Sequence, residues 1–564
     1  MDYKLEISKL LDNVTNISIE EIYKNIEIPD RKLGDFAFPC FKLAKEQKKS
    51  PAVISKEIAE SIKNKPYFFE KIINTGPYIN FYIDKFDLAE KVLTECLEKG
   101  IKYGSETLDN TKNIVIDYSS PNIAKPFHVG HLRSTVIGRA LYNIYSFLGY
   151  KPIGVNHLGD WGTQFGKLIC AYKMWSTKED ITKGGIEELN KLYVRFHKEA
   201  KNNPELNDIA RNYLLKMEEG DEEILKIWNF FNEISLIEFE KVYSKLNIKF
   251  DYFTGESFYQ DKMEPVLKEL ENKNLIEISE NAKIVNLDEY DLPPCLVLRS
   301  DGGTLYHTRD LATAFYRKKE FNFYKVIYVT GLDQSLHFKQ LFKVIEKMGY
   351  EWSKDMEHIA FGLVSLPTGK LSTREGNVVL MEDLIDDVVD KAESIIQEKN
   401  PTLENREKVA KQIGVGAIVF NDLYNTRIKD VVFSFEKMLN FDGETGPFVQ
   451  YSYVRANSLI EKAGDVSFEN IDFSVLDDEY SQNLLYNIYF FKEKLQDVIE
   501  KNEPYILTRH IVQIAQNFNR FYSENPILTS PEHEKIARLA IVYATKNVIQ
   551  IGLNLLGIET PEKM

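Results

Sequence analysis

The stretch "NIVIDYSSPNIAKPFHVGHLRSTVIGRALYNIYSFLGYKPIGVNHLGDWG" (113–162) decides the fold. Its opening is a short apolar run that gives way to small polar residues, as in a strand buried on both faces of a parallel sheet. After a loop, "HLRSTVIGRALYNIYSFLGY" sets Leu132, Val136, Ile137, Ala140, Leu141, Ile144 and Leu148 at helical spacing, with Gly149 as the stop. "KPIGVNHLGDWGTQFG" then reads as the next strand and a glycine-rich loop. Strand, loop, helix, strand is the repeating unit of a doubly wound parallel sheet.

The rest of the chain is organised around that unit. At 564 residues it is too long for one domain, and 43% hydrophobic residues supply ample core. Residues 1 to about 110 mix a charged helix start with "GDFAFP" (34–39) and "GPYINFYI" (76–83), which alternates like a strand. This is a small N-terminal α/β domain. Residues 111–440 carry the parallel sheet, interrupted at about 185–247 by a charged, glycine-poor helical insertion. From 441 to 564 the pattern is all helical; "IVQIAQNFNRFYS" puts Ile511, Ile514, Ala515, Phe518, Phe521 and Tyr522 on one core-facing side. In "FKLAKEQKKS" (41–50), Lys42, Lys45, Lys48 and Lys49 form either a solvated helix face or an RNA-backbone patch.

Charge and cysteine usage narrow the function. A net charge of −15 argues against nonspecific coating of nucleic acid, so any such contact has to be local and shaped. Cys40, Cys96, Cys170 and Cys295 are far apart and make neither a CxxC pair nor a zinc spacing, which points to free thiols in a reducing cytoplasm. No stretch approaches the roughly 20 apolar residues of a membrane span. The start, "MDYKLEISKLLDN", has no apolar signal-peptide centre.

His128 and His131 stand in the loop that leaves the first strand and opens the helix. A metal would find only these two ligands there. Packing as core histidines is at odds with the flanking Pro121, Pro126 and Gly130, which mark a shaped loop. A phosphate site fits better. Doubly wound folds bind nucleotides where a strand's carboxyl end meets a helix N-terminus, and free backbone N–H groups there favour anions. Gly130 removes a side chain, so that a flat base could lie against the backbone. The segment "GLVSLPTGKLST" is no P-loop, because Val364 stands where glycine is needed and Leu371 where a hydroxyl is needed.

"HVGH" (128–131) resembles the HIGH signature of class I aminoacyl-tRNA synthetases, and "KLSTR" (370–374) resembles their KMSKS loop. "SPNIAKPFHVGHLRS", "HLGDWGTQFG", "YHTRDLA" and "LDQSLHF" are similar to the arginyl-tRNA synthetase family in particular. "GDFAFP" and "GPYINF" look like its N-terminal, tRNA-contacting domain. "GPFVQYSYVRANSL" and "LLGIETPEKM" look like its helical anticodon-binding domain.

The resemblance implies activation of L-arginine by ATP and transfer to the 3′-terminal adenosine of tRNA(Arg), with bound tRNA usually needed for the first step. It implies His128, His131, Lys125 and Lys370 as catalytic groups, and Gly130, Ser372, Thr373 and Arg374 as further contacts to ATP. Mg²⁺ would come with the ATP phosphates, without zinc, and the protein would act as a cytoplasmic monomer with no membrane partner. The signature loop carries a second lysine where this chain has Thr373. Lys125 is the natural substitute for that charge, with Arg374 a partial one.

For the amino acid, the resemblance implies that Glu256 and Asp310 hold the guanidinium while Tyr306 packs on it. Ser120, Asn122 and Gln334 would face the ammonium and carboxylate end. A planar fork of five donors demands such carboxylates, and Tyr306 and Asp310 lie i,i+4 on one helix face. Taken alone, Asp310 could instead cap a helix and Tyr306 could be core. Tyr451, Tyr453, Arg455 and Asn457 offer stacking and base-edge donors to an anticodon, with helix packing as the other reading for the two tyrosines. Two other functions compete: a small-cofactor nucleotidyltransferase and a non-catalytic tRNA-binding factor. The first leaves the front and back of the chain unexplained, and the second leaves the signature residues unexplained.

Overall fold

The computed structural model describes residues 2–108, 111–300, 303, 304, 306–366, 369, 370 and 379–564, with Leu366 and Lys370 described by backbone only. Ser372, Thr373 and Arg374 lie outside the described residues. The chain packs as two compact units, one of residues 104–454, 492–512 and 549–564 and the other of 1–103, 455–491 and 513–548.

The larger unit is built on five strands, β1 (Asn113–Asp117), β2 (Lys151–Asn156), β3 (Tyr252–Phe253), β4 (Lys325–Gly331) and β5 (Met356–Phe361). Their order is β5-β4-β1-β2-β3, and every pairing is parallel. Ile114, Val115 and Ile116 are fully buried, as are Val326 and Ile327, which is why these strands read as continuous apolar runs. Helix α1 (Val129–Phe147) crosses from β1 to β2. Its predicted stripe is buried from Leu132 to Leu148. The chain ends it at Gly149, whose φ of 82° suits a left-handed stop.

Strands β2 and β3 lie to one side of β1 and strands β4 and β5 to the other. The connections therefore diverge between β1 and β4, and a crevice opens at their carboxyl ends. Helices α2 (Thr163–Trp175), α3 (Lys178–Asn202), α4 (Glu205–Glu218) and α5 (Glu222–Lys245) fill the stretch between β2 and β3. The helical block thus begins before residue 185, and Gly185 is only a kink within α3. Helices α6 (Tyr306–Phe321) and α7 (Ser335–Lys347) flank β4.

Three short strands root the second signature: β6 (Val364–Leu366), β7 (Gly369–Lys370) and β8 (Val431–Val432). Lys370 lies opposite Ser365 in the antiparallel β6–β7 pair. Arg133 ties this root to α1. Its Nη1 donates to the carbonyls of Gly362 (3.0 Å) and Lys429 (2.7 Å), and its Nε lies 2.8 Å from Asp422 Oδ1. Both side chains are 1% exposed. A buried pair adds little net stability, but it fixes one geometry, since a displaced partner is left as an unpaired charge.

In the smaller unit, strands Phe36–Pro39, Tyr78–Ile83 and Phe69–Thr75 form an antiparallel sheet with Tyr78–Ile83 in the middle. Phe36 meets Phe490 at 5.6 Å between ring centroids, and Tyr103 donates to the Ile488 carbonyl at 3.2 Å. In the lysine-rich segment, Lys42 pairs with Glu21 and Lys49 with Glu57, which offsets part of its charge. Of the stripe predicted from 511 to 522, Tyr522 is the exception: it is 40% exposed, and the Arg455 guanidinium lies 5.0 Å from its ring.

Among the described residues one helix, Glu532–Leu555, is long and apolar enough to span a membrane, contrary to the sequence expectation; 72% of its apolar window is buried, as in a core helix.

Candidate active site

His128 is the N-cap of α1, and its Nδ1 accepts from the Gly130 N–H at 3.0 Å. His131 Nδ1 accepts in turn from the His128 N–H at 3.1 Å. The two side chains thus satisfy donors at the helix start reciprocally, in the manner of a capping box. Their rings stack at 3.9 Å. Gly130 also answers a demand inside the chain. A Cβ there would lie 2.8 Å from both Nδ1 and Cε1 of His128, so the glycine makes room for the histidine's own ring.

An imidazole that accepts at Nδ1 carries its proton on Nε2 when neutral. Burial, with Lys125 adding to it, lowers His128 to about 4. Burial lowers His131 well below its ordinary value too, helped by His128 and Lys125. At neutral pH both rings are therefore uncharged Nε2–H donors. Neither ring thus carries the positive charge that a cation would offer a phosphate.

Lys125 belongs to the loop 118–128, which is held from several sides. Ser119 N–H donates to Ser134 Oγ at 2.8 Å, and Ala124 N–H donates to Ser235 Oγ of α5 at 2.9 Å. Gly159 N–H donates to the Pro121 carbonyl, and Ile123 N–H to that of Gly159, both at 3.1 Å. A Cβ on Gly159 would meet Asn122 Oδ1 at 2.0 Å, so a larger residue there would force the Asn122 side chain to move. Ser119, Ser120 and Ala124 have φ of 71°, 48° and 61°, unusual for non-glycine residues. Lys125 Nζ sits 5.6 Å from the centre of the Tyr193 ring.

The residues that the resemblance assigned to the amino acid's guanidinium sit on α6 and in the segment after β3. Tyr306 is the first residue of α6 and 66% exposed, so it is not core. Asp310 lies within α6 and caps nothing; its Oδ2 takes His337 Nε2 at 2.5 Å. Burial works to raise the Asp310 carboxyl, yet His337, His157 and Arg309 hold it below its ordinary value. Glu256 opens a 3₁₀ helix, Glu256–Lys262, and its N–H is tied to the Leu158 carbonyl at 3.0 Å. Its carboxylate lies 2.6 Å from Arg309 Nη1. Ser120 Oγ bonds to Asp117 Oδ1 (2.9 Å) and accepts from the His157 N–H (3.3 Å). Asn122 is exposed on the same loop, and Gln334 is exposed just past β4.

Several groups here carried no role in the sequence reading. Asp160 is buried beneath Glu256, accepting from Ser257 N–H at 2.8 Å and from its hydroxyl at 2.6 Å. His157, His337 and Arg309 bear on the Asp310 carboxylate, and Arg317 pairs with Asp117 at 2.8 Å with no exposure. A weak signal existed: several of the few histidines sit in "HLGDWG", "YHTRD" and "LDQSLHF", next to strand ends and glycines.

On helix Gly446–Ala463, Tyr451 is 40% exposed, whereas Tyr453 is 6% exposed and packs in the core. Arg455 Nη1 donates to Asn519 Oδ1 at 2.6 Å, and Asn457 donates to Glu461 at 2.8 Å. Tyr453 therefore offers no ring to a base.

A doubly wound sheet with a histidine-capped helix at its switch point is the nucleotide-binding core of the class I aminoacyl-tRNA synthetases. The catalytic-domain model "tRNA synthetases class I (R)" matches residues 92–435. The arginyl tRNA synthetase N terminal domain matches 1–83, and the DALR anticodon binding domain matches 449–564. The chain is 52% identical to an arginine–tRNA ligase of Alkaliphilus metalliredigens over 565 aligned residues, covering 100% of both. Among solved structures it is similar to an arginyl-tRNA synthetase of Thermus thermophilus (TM-score 0.84, 22% identity, 100% and 99% of the two chains). It is similar also to that of Plasmodium falciparum (TM-score 0.83, 26% identity, 100% and 99%). The chain belongs to the arginyl-tRNA synthetase family.

Proposed function

We propose the following division of labour for the arginine–tRNA ligase activity of this family member. L-Arginine's carboxylate oxygen attacks the α-phosphorus of ATP, the bond to the bridging oxygen breaks, and pyrophosphate leaves. The 2′-hydroxyl of the tRNA(Arg) terminal adenosine then attacks the adenylate's carbonyl and AMP departs. Both steps gain chiefly from positioning and from stabilising developing charge. The Nε2–H groups of His128 and His131 donate to phosphate oxygens. Lys125 and Lys370 supply positive charge beside the departing pyrophosphate, Lys125 standing in for the lysine that Thr373 replaces. Ser372 and Arg374 belong to the same loop.

Among the described residues no group of three or more His, Cys, Asp or Glu could hold a metal. Mg²⁺ is assigned to the ATP phosphates, where it would offset their charge.

Glu256 and Asp310 receive the guanidinium under the Tyr306 ring, and Ser120, Asn122 and Gln334 face the α-amino and carboxylate end. Lysine is rejected because one ammonium cannot satisfy two carboxylates. Tyr451, Arg455 and Asn457 face tRNA. The protein is assigned to the cytoplasm as a monomer. The observation that supports the reading is that half-buried Glu256 and Asp310, held by Arg309 and His337, stand beside exposed Tyr306 in the sheet unit that also carries the histidine cap.

The test is arginine-dependent ATP–pyrophosphate exchange with and without tRNA(Arg). Exchange that ignores arginine would refute the reading. Asp310→Ala should raise the KM for arginine strongly and leave that for ATP within a few-fold.

A further inference from the structure

Both carboxylates assigned to the incoming guanidinium already face cationic or donor groups of the chain: Arg309 on Glu256 and His337 on Asp310. Arg309 is 7% exposed and comes from the first turn of α6, between Tyr306 and Asp310. Its guanidinium also lies 5.5 Å from the Tyr306 ring. It could be a stand-in that the substrate displaces, or a permanent part of the pocket.

The charges around it decide between these. Glu256 and Asp310 share their surroundings with Asp160, whose bonds come from Ser257 and not from a cation. Three carboxylates thus make an acidic excess in which Arg309 bears on Glu256 and Asp310, and His157 bears on Asp310 and Asp160. Displacing Arg309 would leave that excess unchanged, whereas a second guanidinium beside it lowers the excess. Burial also blocks an easy exit for Arg309.

We propose that Arg309 is a positioning residue for substrate selection: it stays on Glu256 and holds that carboxylate aimed at the pocket, so that L-arginine docks beside Arg309 and not in its place. The inference rests on the assignment of Glu256 to the arginine pocket. It agrees with the electrostatics. Burial pushes Glu256 up to about 7, Arg309 opposes this, and Asp310 and Asp160 add to it. Removing Arg309 would remove the charge that opposes burial and move the group further toward its neutral form at pH 7.

The groups that bear on this titration are Asp160 from the loop after β2, Arg309 and Asp310 from α6, Tyr306 at its start, His337 from α7 and His157 at the end of β2. Glu218 of α4 also feels Arg309.

The experiment is steady-state aminoacylation by Arg309→Gln, Arg309→Lys and Glu256→Gln. Arg309→Gln should raise the arginine KM several-fold at pH 7 and leave the ATP KM close to wild type. Relative to wild type, that excess should shrink as the pH rises toward 9, because Glu256 then ionises unaided; a purely structural lesion would not recover. Arg309→Lys should restore part of the affinity. A wild-type or lower arginine KM in Arg309→Gln overturns the proposal. If Glu256→Gln leaves the arginine KM unchanged, the pocket assignment itself fails. If Glu256→Gln raises it and Arg309→Gln does not, only the positioning role fails. Should Arg309→Gln not fold, a crystal structure of the wild-type chain with L-arginine decides. Arg309 still paired with Glu256 beside the bound guanidinium supports the proposal, and Arg309 swung away overturns it.

Discussion

Replacing Gly130 by alanine isolates the histidine cap from the stability of the fold. The new Cβ would stand 2.8 Å from His128 Nδ1 and Cε1, while ordinary contact begins at 3.4 Å, so the ring must retreat by about 0.6 Å. That movement breaks the 3.0 Å bond from Gly130 N–H and disturbs the 3.9 Å stack on His131. Losing a cap costs roughly 1 kcal/mol. Alanine within a helix regains roughly the same over glycine. Global stability should therefore hardly change. Catalysis should change, because a misplacement of about 1 Å can cost roughly 10²-fold. A shift of about 0.6 Å predicts a loss of roughly 10- to 10²-fold, or about 1.4–2.7 kcal/mol. Arginine-dependent ATP–pyrophosphate exchange, with tRNA(Arg) present, measures the loss, and a thermal melt measures the stability. Exchange within about threefold of wild type, in a protein that melts normally, would refute the argument that this cap sets the donor.

Other consequences can be checked in parallel. Lys125→Ala should lower pyrophosphate exchange by about 10²-fold, roughly 2.7 kcal/mol; near-normal exchange would show that Lys125 does not replace the charge missing at Thr373. Tyr453→Ala should destabilise the fold by roughly 3–5 kcal/mol, the range for large buried side chains. Tyr451→Ala should melt like wild type and raise the KM for tRNA about tenfold, the value of one lost base stack. Equal effects at both positions would remove the distinction drawn from their burial.

The acid response follows from His128, whose ring is held at about 4 by burial and Lys125. Once unfolded it takes up a proton near its ordinary value of about 6.5. Acid thus favours the unfolded chain. This contribution is complete above about 6.5 and lost as the pH falls through about 4. The melting-temperature gap between wild type and His128→Gln should move against wild type between pH 7.5 and 5; a constant gap would contradict the neutral ring.

Sequence alone determined the parallel sheet and the helix that follows β1. The strand had to be apolar on both faces, the helix stripe had to repeat at helical spacing, and Gly149 had to end it. These are local constraints that each residue reports without its distant neighbours. The family was legible for the same reason, since "HVGH" and "YHTRDLA" are short runs.

Tertiary structure decided which groups meet. It revealed that Gly130 serves the ring of His128, that both histidines are neutral, that Tyr453 is core and Tyr451 is not, and that Asp160 and Arg309 stand behind Glu256. No periodicity records these facts. A pKa depends on burial and on charges that arrive from other strands and helices. Which face of a helix is covered depends on the element packed against it. The sequence carries the donors and acceptors, and only their convergence at the switch point of the sheet fixes the protonation and the partner of each.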